Sequence, residues 1–237
     1  MIQRISRYFS ILLISLLCTT AVFAQYEDRT PRKLPANMRD KSEEKLSLPL
    51  FCGVSVSADL VGPAMKAMNS DYAQLEVAAR VSLREKFLPI IELGYGTSKH
   101  THEETNNTFK TKAPYFRVGM DYNFSKRPFS GNRIYAGLRY GFTDFTYDIS
   151  SPNFIDPIWH TSKPFELKDL DGNMHWAEVV FGLETKIWEI FRLGWNIRYK
   201  ARITHKRSAY GEPWYIPGFG KNGSSCLGAT FNVIFEI

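Results

Sequence analysis

The chain has 237 residues, 44% of them hydrophobic, with 30 Lys and Arg against 24 Asp and Glu and a formal net charge of +6. That length suits one all-β domain of barrel or sandwich size, and so mild a basic excess gives no ground for a nucleic-acid partner. Beyond Leu50 no apolar run approaches the ~20 residues that a membrane-spanning helix requires.

The first residues are expected to be processed. Arg4 and Arg7 form a basic start, residues 11–17 an apolar stretch interrupted only by Ser15, and Val22, Phe23 and Ala24 a small-residue cleavage site, so residues 1–24 read as a secretory signal. Leu17 is too bulky for the position before Cys18 in a lipoprotein signal. Removing this segment takes away two arginines and no acid, which lowers the net charge from +6 to +4. Residues 25–49, with Pro31, Pro35, Lys33, Arg39, Glu43 and Glu44, have no period and read as a disordered periplasmic leader.

From residue 50 to residue 237 the sequence alternates as strands do, in eight segments. The first, residues 52–61, sets Val54, Val56, Ala58 and Leu60 against Ser55, Ser57 and Asp59. The second, 73–83, sets Leu75, Val77, Ala79, Val81 and Leu83 against Glu76, Arg80 and Ser82. The third, 87–95, turns Phe87, Ile91, Leu93 and Tyr95 to one side, and Pro89, which cannot donate to a ladder, predicts a bulge near the rim. The fourth carries Phe116, Val118, Met120, Tyr122 and Phe124, and the fifth Ile134, Ala136, Leu138, Tyr140 and Phe142. The sixth has Ala177, Val179, Phe181 and Leu183 opposite Glu178 and Glu184. The seventh runs from Phe191 to Ile203, with Leu193, Trp195, Ile197 and Tyr199 opposite Arg192, Arg198, Lys200 and Arg202. The last, 227–237, faces Leu227, Ala229, Phe231, Val233, Phe235 and Ile237 one way, with Ile234 breaking the pattern.

Short connections at 84–86, 125–131 and 188–190 alternate with longer ones at 62–72, 97–112, 149–173 and 207–223. This alternation, with an even strand count, predicts an all-β, eight-stranded antiparallel up-and-down transmembrane β-barrel with tight periplasmic turns and longer external loops. A soluble barrel of lipocalin type has the same period with its apolar face inward. Aromatic residues at strand ends and glycines on the polar face favour the membrane form, with Phe87, Phe124, Trp188 and Phe191 as a periplasmic girdle and Tyr95, Tyr140, Phe142 and Trp176 as candidates for the external one. Cys52 and Cys226 begin the first and last strands, which places them at opposite ends of antiparallel neighbours and argues against a disulfide.

The exported start, eight strands, alternating loops and terminal Phe235-Glu236-Ile237 resemble the small OmpA/OmpX-type outer-membrane barrels and the uncharacterised porin-like families of Gram-negative bacteria. The resemblance covers residues 50–237 and implies a cell outer-membrane location, lipid as the surrounding partner, and Phe235 and Ile237 as the signal read by the barrel-assembly machinery. The final residue is Ile where many such barrels have Phe.

The inner face carries Asp59, Glu76, Glu92, Asp121, Glu178, Glu184 and, at the periplasmic mouth, Glu236, with Arg80, Arg117, Arg139, Arg198, Lys200 and Arg202. An eight-stranded barrel is filled by its own side chains, and unpaired charges there are costly, so these groups are expected to form a salt-bridged plug, with Lys200 opposite Glu178. A narrow proton or ion path is the competing reading. His100, His102, Glu103 and Glu104 are metal-like in type but sit in a polar loop, and no metal or cofactor is expected. His160, His175 and His205 raise a lipid A-modifying enzyme as an alternative, though no serine, histidine and acid spacing is visible. Lys206 and Arg207 can meet lipid phosphates or form solvated rim charge.

The loops hold the clearer pointer to function. Trp159, Trp214, Tyr215 and Phe219 are more aromatic surface than a solvated loop carries. They are expected either to fold over the barrel mouth or to form a contact surface for a protein or glycan. The sequence thus reads as a monomeric, non-enzymatic barrel with a structural or surface-recognition role, the alternatives being a lipid A-modifying enzyme and an accessory barrel of an export or assembly complex.

Overall fold

A computed structural model describes residues 49–103, 106–125, 131–155, 162–206 and 211–237. The expected signal at 1–24, nearly all of the expected leader at 25–49, Glu104, Trp159, His160 and Arg207 lie outside the described residues. Eight strands close into one antiparallel barrel, and a two-stranded hairpin stands apart from it. The barrel strands are β1 (Phe51–Asp59), β2 (Tyr72–Leu83), β3 (Phe87–Thr101), β4 (Thr108–Asn123), β5 (Asn132–Ile155), β6 (Ser162–Lys186), β7 (Phe191–His205) and β10 (Ser225–Glu236). The hairpin is β8 (Tyr215–Ile216) with β9 (Gly220–Lys221), and one helix, α1 (Val61–Ala67), follows β1.

Each strand pairs with its sequence neighbour, and β10 closes the ring on β1, with Val56 opposite Phe235 and Asp59 opposite Asn232. The seam is finished by the amide of Ile237, which donates to the Val54 carbonyl at 2.8 Å, and that of Val54, which donates to Ile237 at 3.1 Å. Cys52 and Cys226 are both free.

The strands outrun the alternation that announces them. Residues 97–112 and 149–173, expected as loops, are largely strand: β5 and β6 have 24 and 25 residues. That is roughly twice the 9–11 residues that cross a bilayer. The cause is a change of polarity along each strand. On lower β5, Leu138 and Tyr140 face out while Tyr135 and Arg139 are buried; higher up, Asp144 and Thr146 face out while Phe145, Tyr147 and Ile149 are buried. β4 changes in the same way, from outward Val118 and Met120 to outward Lys110 and Lys112 over buried Ala113 and Tyr115. Phe116, Phe142 and His175 mark the crossover, since they are register partners across β4, β5 and β6.

Aromatic rings mark the lower edge. Phe87 meets Tyr122 with centroids 5.5 Å apart, Tyr122 meets Phe124 at 5.0 Å, and Phe191 meets Trp188 and Phe235 at 5.8 and 5.6 Å. At the upper edge Tyr95, Tyr140 and Phe142 face outward. Trp176, expected beside them, is instead wholly buried in the lumen, where its indole N–H donates to Glu178 at 2.6 Å. Its ring occupies the space above Gly141, where a Cβ would stand 2.4 Å from Cε2.

Two further expectations are corrected. Pro89 makes no bulge: its register with β4 is continuous, and the pairs to β2 lapse between Ile90 and Phe87 without a shift. The missing N–H is thus absorbed as a gap in one ladder. A bulge at the lower rim lies instead in β1 between Phe51 and Gly53, and Gly53 has φ 148°. The loop at 62–72 contains α1, because β1 stops at Asp59. Its carboxylate accepts from the amides of Val61 and Gly62 at 3.1 Å and of Phe231 at 3.2 Å, so it starts the helix and ties it to β10.

Candidate functional site

Three layers of ion pairs fill the lower and middle lumen. At the base Arg133 bridges Glu85 at 2.8 Å and Glu236 at 2.6 Å, and Arg192 holds Glu236 at 2.5 Å. Above it Arg80 pairs with Glu184 and, at 2.9 Å, with Asp121, while Arg139 pairs with Glu92 and, at 3.0 Å, with Asp121. Higher still Arg117 reaches Glu76, Glu92 and Glu178 at 2.5, 2.9 and 2.8 Å, and Arg198 reaches Glu76 and Glu92 at 2.8 and 2.9 Å. Charge-assisted pairs of this length are the strong kind, and each charge except Glu85 and Arg192 meets more than one of opposite sign. The space left among Glu76, Arg80, Glu92, Arg139 and Arg198 is a cavity of about 10 Å³, room for at most a single water.

Eleven of the thirteen inner charges read from the sequence lie in or against this assembly, Glu236 among them; Asp59 and Arg202 do not. Asp59 is bound to backbone amides as described, and Arg202, half-buried just below a bulge in the β6–β7 ladder, is in none of these pairs. Lys200 is in register with Glu178, yet its ammonium donates to the carbonyls of Gly218 and Phe219 at 2.7 and 3.1 Å. Glu85, Arg133 and Arg192 complete the base of the network and escaped the sequence reading of the site. Glu85 sits in the β2–β3 turn with φ 54°, outside any alternating segment, whereas Arg133 shares the inward parity of Tyr135 and Arg139.

The segment carrying β8 and β9 folds into the upper lumen as a roof. Tyr215, Ile216 and Phe219 are buried, and Ile216 and Phe219 pack with Ala113, Tyr115, Phe145, Tyr147, Ile149, Met174 and Trp176 in one apolar cluster. Trp214 stacks on His100 with centroids 3.9 Å apart, and His100 is bonded to Asp71 at 2.8 Å. Gln74 donates to the Tyr215 hydroxyl. Burial raises the Tyr215 phenol well above the ordinary tyrosine range, so it stays protonated. His175 is bonded to the Tyr140 hydroxyl at 2.7 Å, and His205 lies 3.5 Å from Glu212.

Between the roof and the wall lies a cavity of about 410 Å³, bounded by α1, β2, β10 and the β8–β9 hairpin. It is the site at which lumen, roof and outer wall meet.

An eight-stranded up-and-down barrel with apolar side chains outside and paired charges inside is a barrel of the outer-membrane type. The chain belongs to the family described as a domain of unknown function, DUF6048, whose model matches residues 5–237. No curated protein matches the sequence. Among solved structures it is similar to the N-terminal β-barrel domain of Pseudomonas aeruginosa OprF, at 13% identity over 78% of this chain and 97% of that one, with a TM-score of 0.39. Neisserial surface protein A is 10% identical over 78% of this chain and 97% of its own, with a TM-score of 0.43. A major outer membrane protein from Thermus thermophilus is 12% identical over 78% and 98%, also with a TM-score of 0.43.

Proposed function

We propose that this protein is a non-conducting outer-membrane barrel whose role is structural or recognitional and is exerted by the part of the barrel that stands above the bilayer. The observation that carries this reading is the polarity change at Phe116, Phe142 and His175. Below that row the wall is apolar outside and ion-paired inside; above it the wall is polar outside and apolar inside. Only a wall that passes from hydrocarbon into water is served by both arrangements. The upper part then forms a small water-facing domain built on the same strands, with the roof as its core.

The ion-paired layers support a closed lumen, and the surface formed by the β5–β6 extension and Trp214 is what remains to meet a protein or glycan partner. Residues 1–24 serve as the export signal in this reading, and Phe235 and Ile237 as the strand end read by the assembly machinery.

Planar-bilayer recording on the refolded full chain tests the closed lumen. A baseline without steady unitary steps is expected, and steady large-conductance pores would overturn it.

A further inference from the structure

β1 is the one short wall strand of the barrel, and its shortness opens the wall on the side. It pairs with β10 only as far as Asp59 opposite Asn232, and with β2 only as far as Ala58 opposite Val77. Above that level residues 225–230 of β10 and 72–76 of β2 face each other with no strand between them. The short helix α1 fills part of the gap, with Gly62 so close to β2 that a Cβ there would stand 1.7 Å from the Gln74 carbonyl oxygen. The rest of the gap is the cavity of about 410 Å³, within the ~300–1,000 Å³ of small-molecule sites.

Its lining shows that it passes through the wall. Leu227 and Ala229 belong to the outward face of β10, and Leu227 is 71% exposed, while Arg117, Arg198 and Lys200 belong to the lumen. A space touching both sets joins the apolar outer band to the charged interior. Val61 and Met65 of α1, with Phe219 of the roof, continue the apolar lining inward.

The charge at the inner end is positive. Arg117, Arg198, Lys200 and Lys221 line the cavity against Asp59 and Glu76. Both acids are engaged, Asp59 by three backbone amides and Glu76 by Arg117 and Arg198. Lys200, only 6% exposed, has no carboxylate within 4.0 Å among the described residues; it touches two carbonyl oxygens, leaving a third N–H. Gly228 lies beside it, where a Cβ would stand 3.6 Å from Lys200 Nζ, in ordinary contact.

We infer that this side opening is a binding site for a single-chain anionic amphiphile taken from the bilayer, with the acyl chain across Leu227, Ala229 and Met65 and the anionic head at Lys200. The site rests on the membrane placement proposed above. An apolar entrance at hydrocarbon level selects the chain, and a buried ammonium without a carboxylate selects the head. A carboxylate and a phosphate monoester share this chemistry.

The test uses the full chain in phosphatidylcholine vesicles, with insertion checked first by resistance to carbonate extraction, and a fluorescent C16 fatty acid as the probe. Saturable binding is expected, competed by palmitate or by palmitoyl lysophosphatidate; the stronger competitor identifies the head group. Hexadecanol is expected to compete at least tenfold less well. Ala229→Trp, which fills the entrance from the outer face, should weaken binding at least tenfold, and Leu227→Trp provides a second blocked entrance should the first fail to insert. Lys200→Met should abolish the preference for palmitate over hexadecanol. An inserted barrel that does not bind the probe, or that binds it unchanged with the entrance filled, overturns the site alone. A chain that does not insert overturns the membrane reading.

Discussion

Lys200 and Glu178 are register partners on adjacent strands, yet the Lys200 ammonium is held by the carbonyl oxygens of Gly218 and Phe219 at 2.7 and 3.1 Å. Arg117 does the same from the opposite wall, donating to Gly218 at 2.8 Å. Two cations of the inner wall therefore hold the roof down by its backbone. The upper apolar cluster and the lower ion-paired plug meet at these three bonds and at those that Trp176 and Tyr115 donate to Glu178 and Glu76, at 2.6 and 2.9 Å.

Replacing Lys200 by Met removes two of the bonds. Hydrogen bonds to a charged group contribute roughly 1.5–3 kcal/mol each, about 3–6 kcal/mol for the two, so opening of the roof should become on the order of 100- to 10,000-fold easier. Amide exchange in β8, β9 and at Asn222, whose N–H donates to the Trp214 carbonyl at 3.0 Å, should accelerate by that factor while the wall strands are unchanged. Unchanged exchange in the hairpin would show that the Lys200 bonds do not hold the roof.

Glu92 is the most shared carboxylate of the plug, with Arg117, Arg139 and Arg198 all paired to it. Glu92→Gln leaves three buried guanidiniums short of one partner, and breaking a buried pair costs about 3–5 kcal/mol. Urea unfolding in bilayers should register a loss of this size. The exposed pair of Lys168 and Glu166, at 3.1 Å with both side chains more than half exposed, is the control: Glu166→Gln should change stability by no more than ~1 kcal/mol.

Gly141 and Trp176 form a knob and its socket. Gly141→Ala places a Cβ 2.4 Å from Trp176 Cε2, and overpacking of this kind costs about 1–3 kcal/mol. Trp176→Leu removes the obstruction, so the two substitutions should be non-additive in a double-mutant cycle. Additive losses would mean that the indole moves aside freely.

The strands and their order were legible because the lower barrel obeys a period of two with one sense: Leu138 out, Arg139 in. The upper halves of β4, β5 and β6 obey the same period with the opposite sense. Phe145, Tyr147 and Ile149 fall on the parity of Arg139, and the reversal reads as the end of a strand. The plug was legible from inward parity, down to the register of Glu178 and Lys200. Glu85 was hidden because a turn residue has no parity, and the roof-binding role of Lys200 because nothing local links it to residues 218 and 219. The side opening depends on where β1 stops, and Asp59, which stops it, reads in the sequence as one more inward charge.

Deleting residues 235–237 removes the Val54–Ile237 bonds and the contact of Phe235 with Phe191, which leaves β1 without the end of its closing partner. Such a chain should fail to give the compact, heat-modifiable species on gels, and normal insertion of it would contradict both the closure and the assembly role of this segment.

The placement of the bilayer is the claim on which the rest depends, and spin labels at the outward positions of β5 test it most directly. With single labels at residues 134, 136, 138, 140, 142, 144, 146 and 148 of the vesicle-inserted chain, collision with oxygen should dominate up to residue 140. Collision with a water-soluble nickel complex should take over from residue 144. Water access undiminished along the whole series would contradict a wall that passes through hydrocarbon and emerges at Phe142.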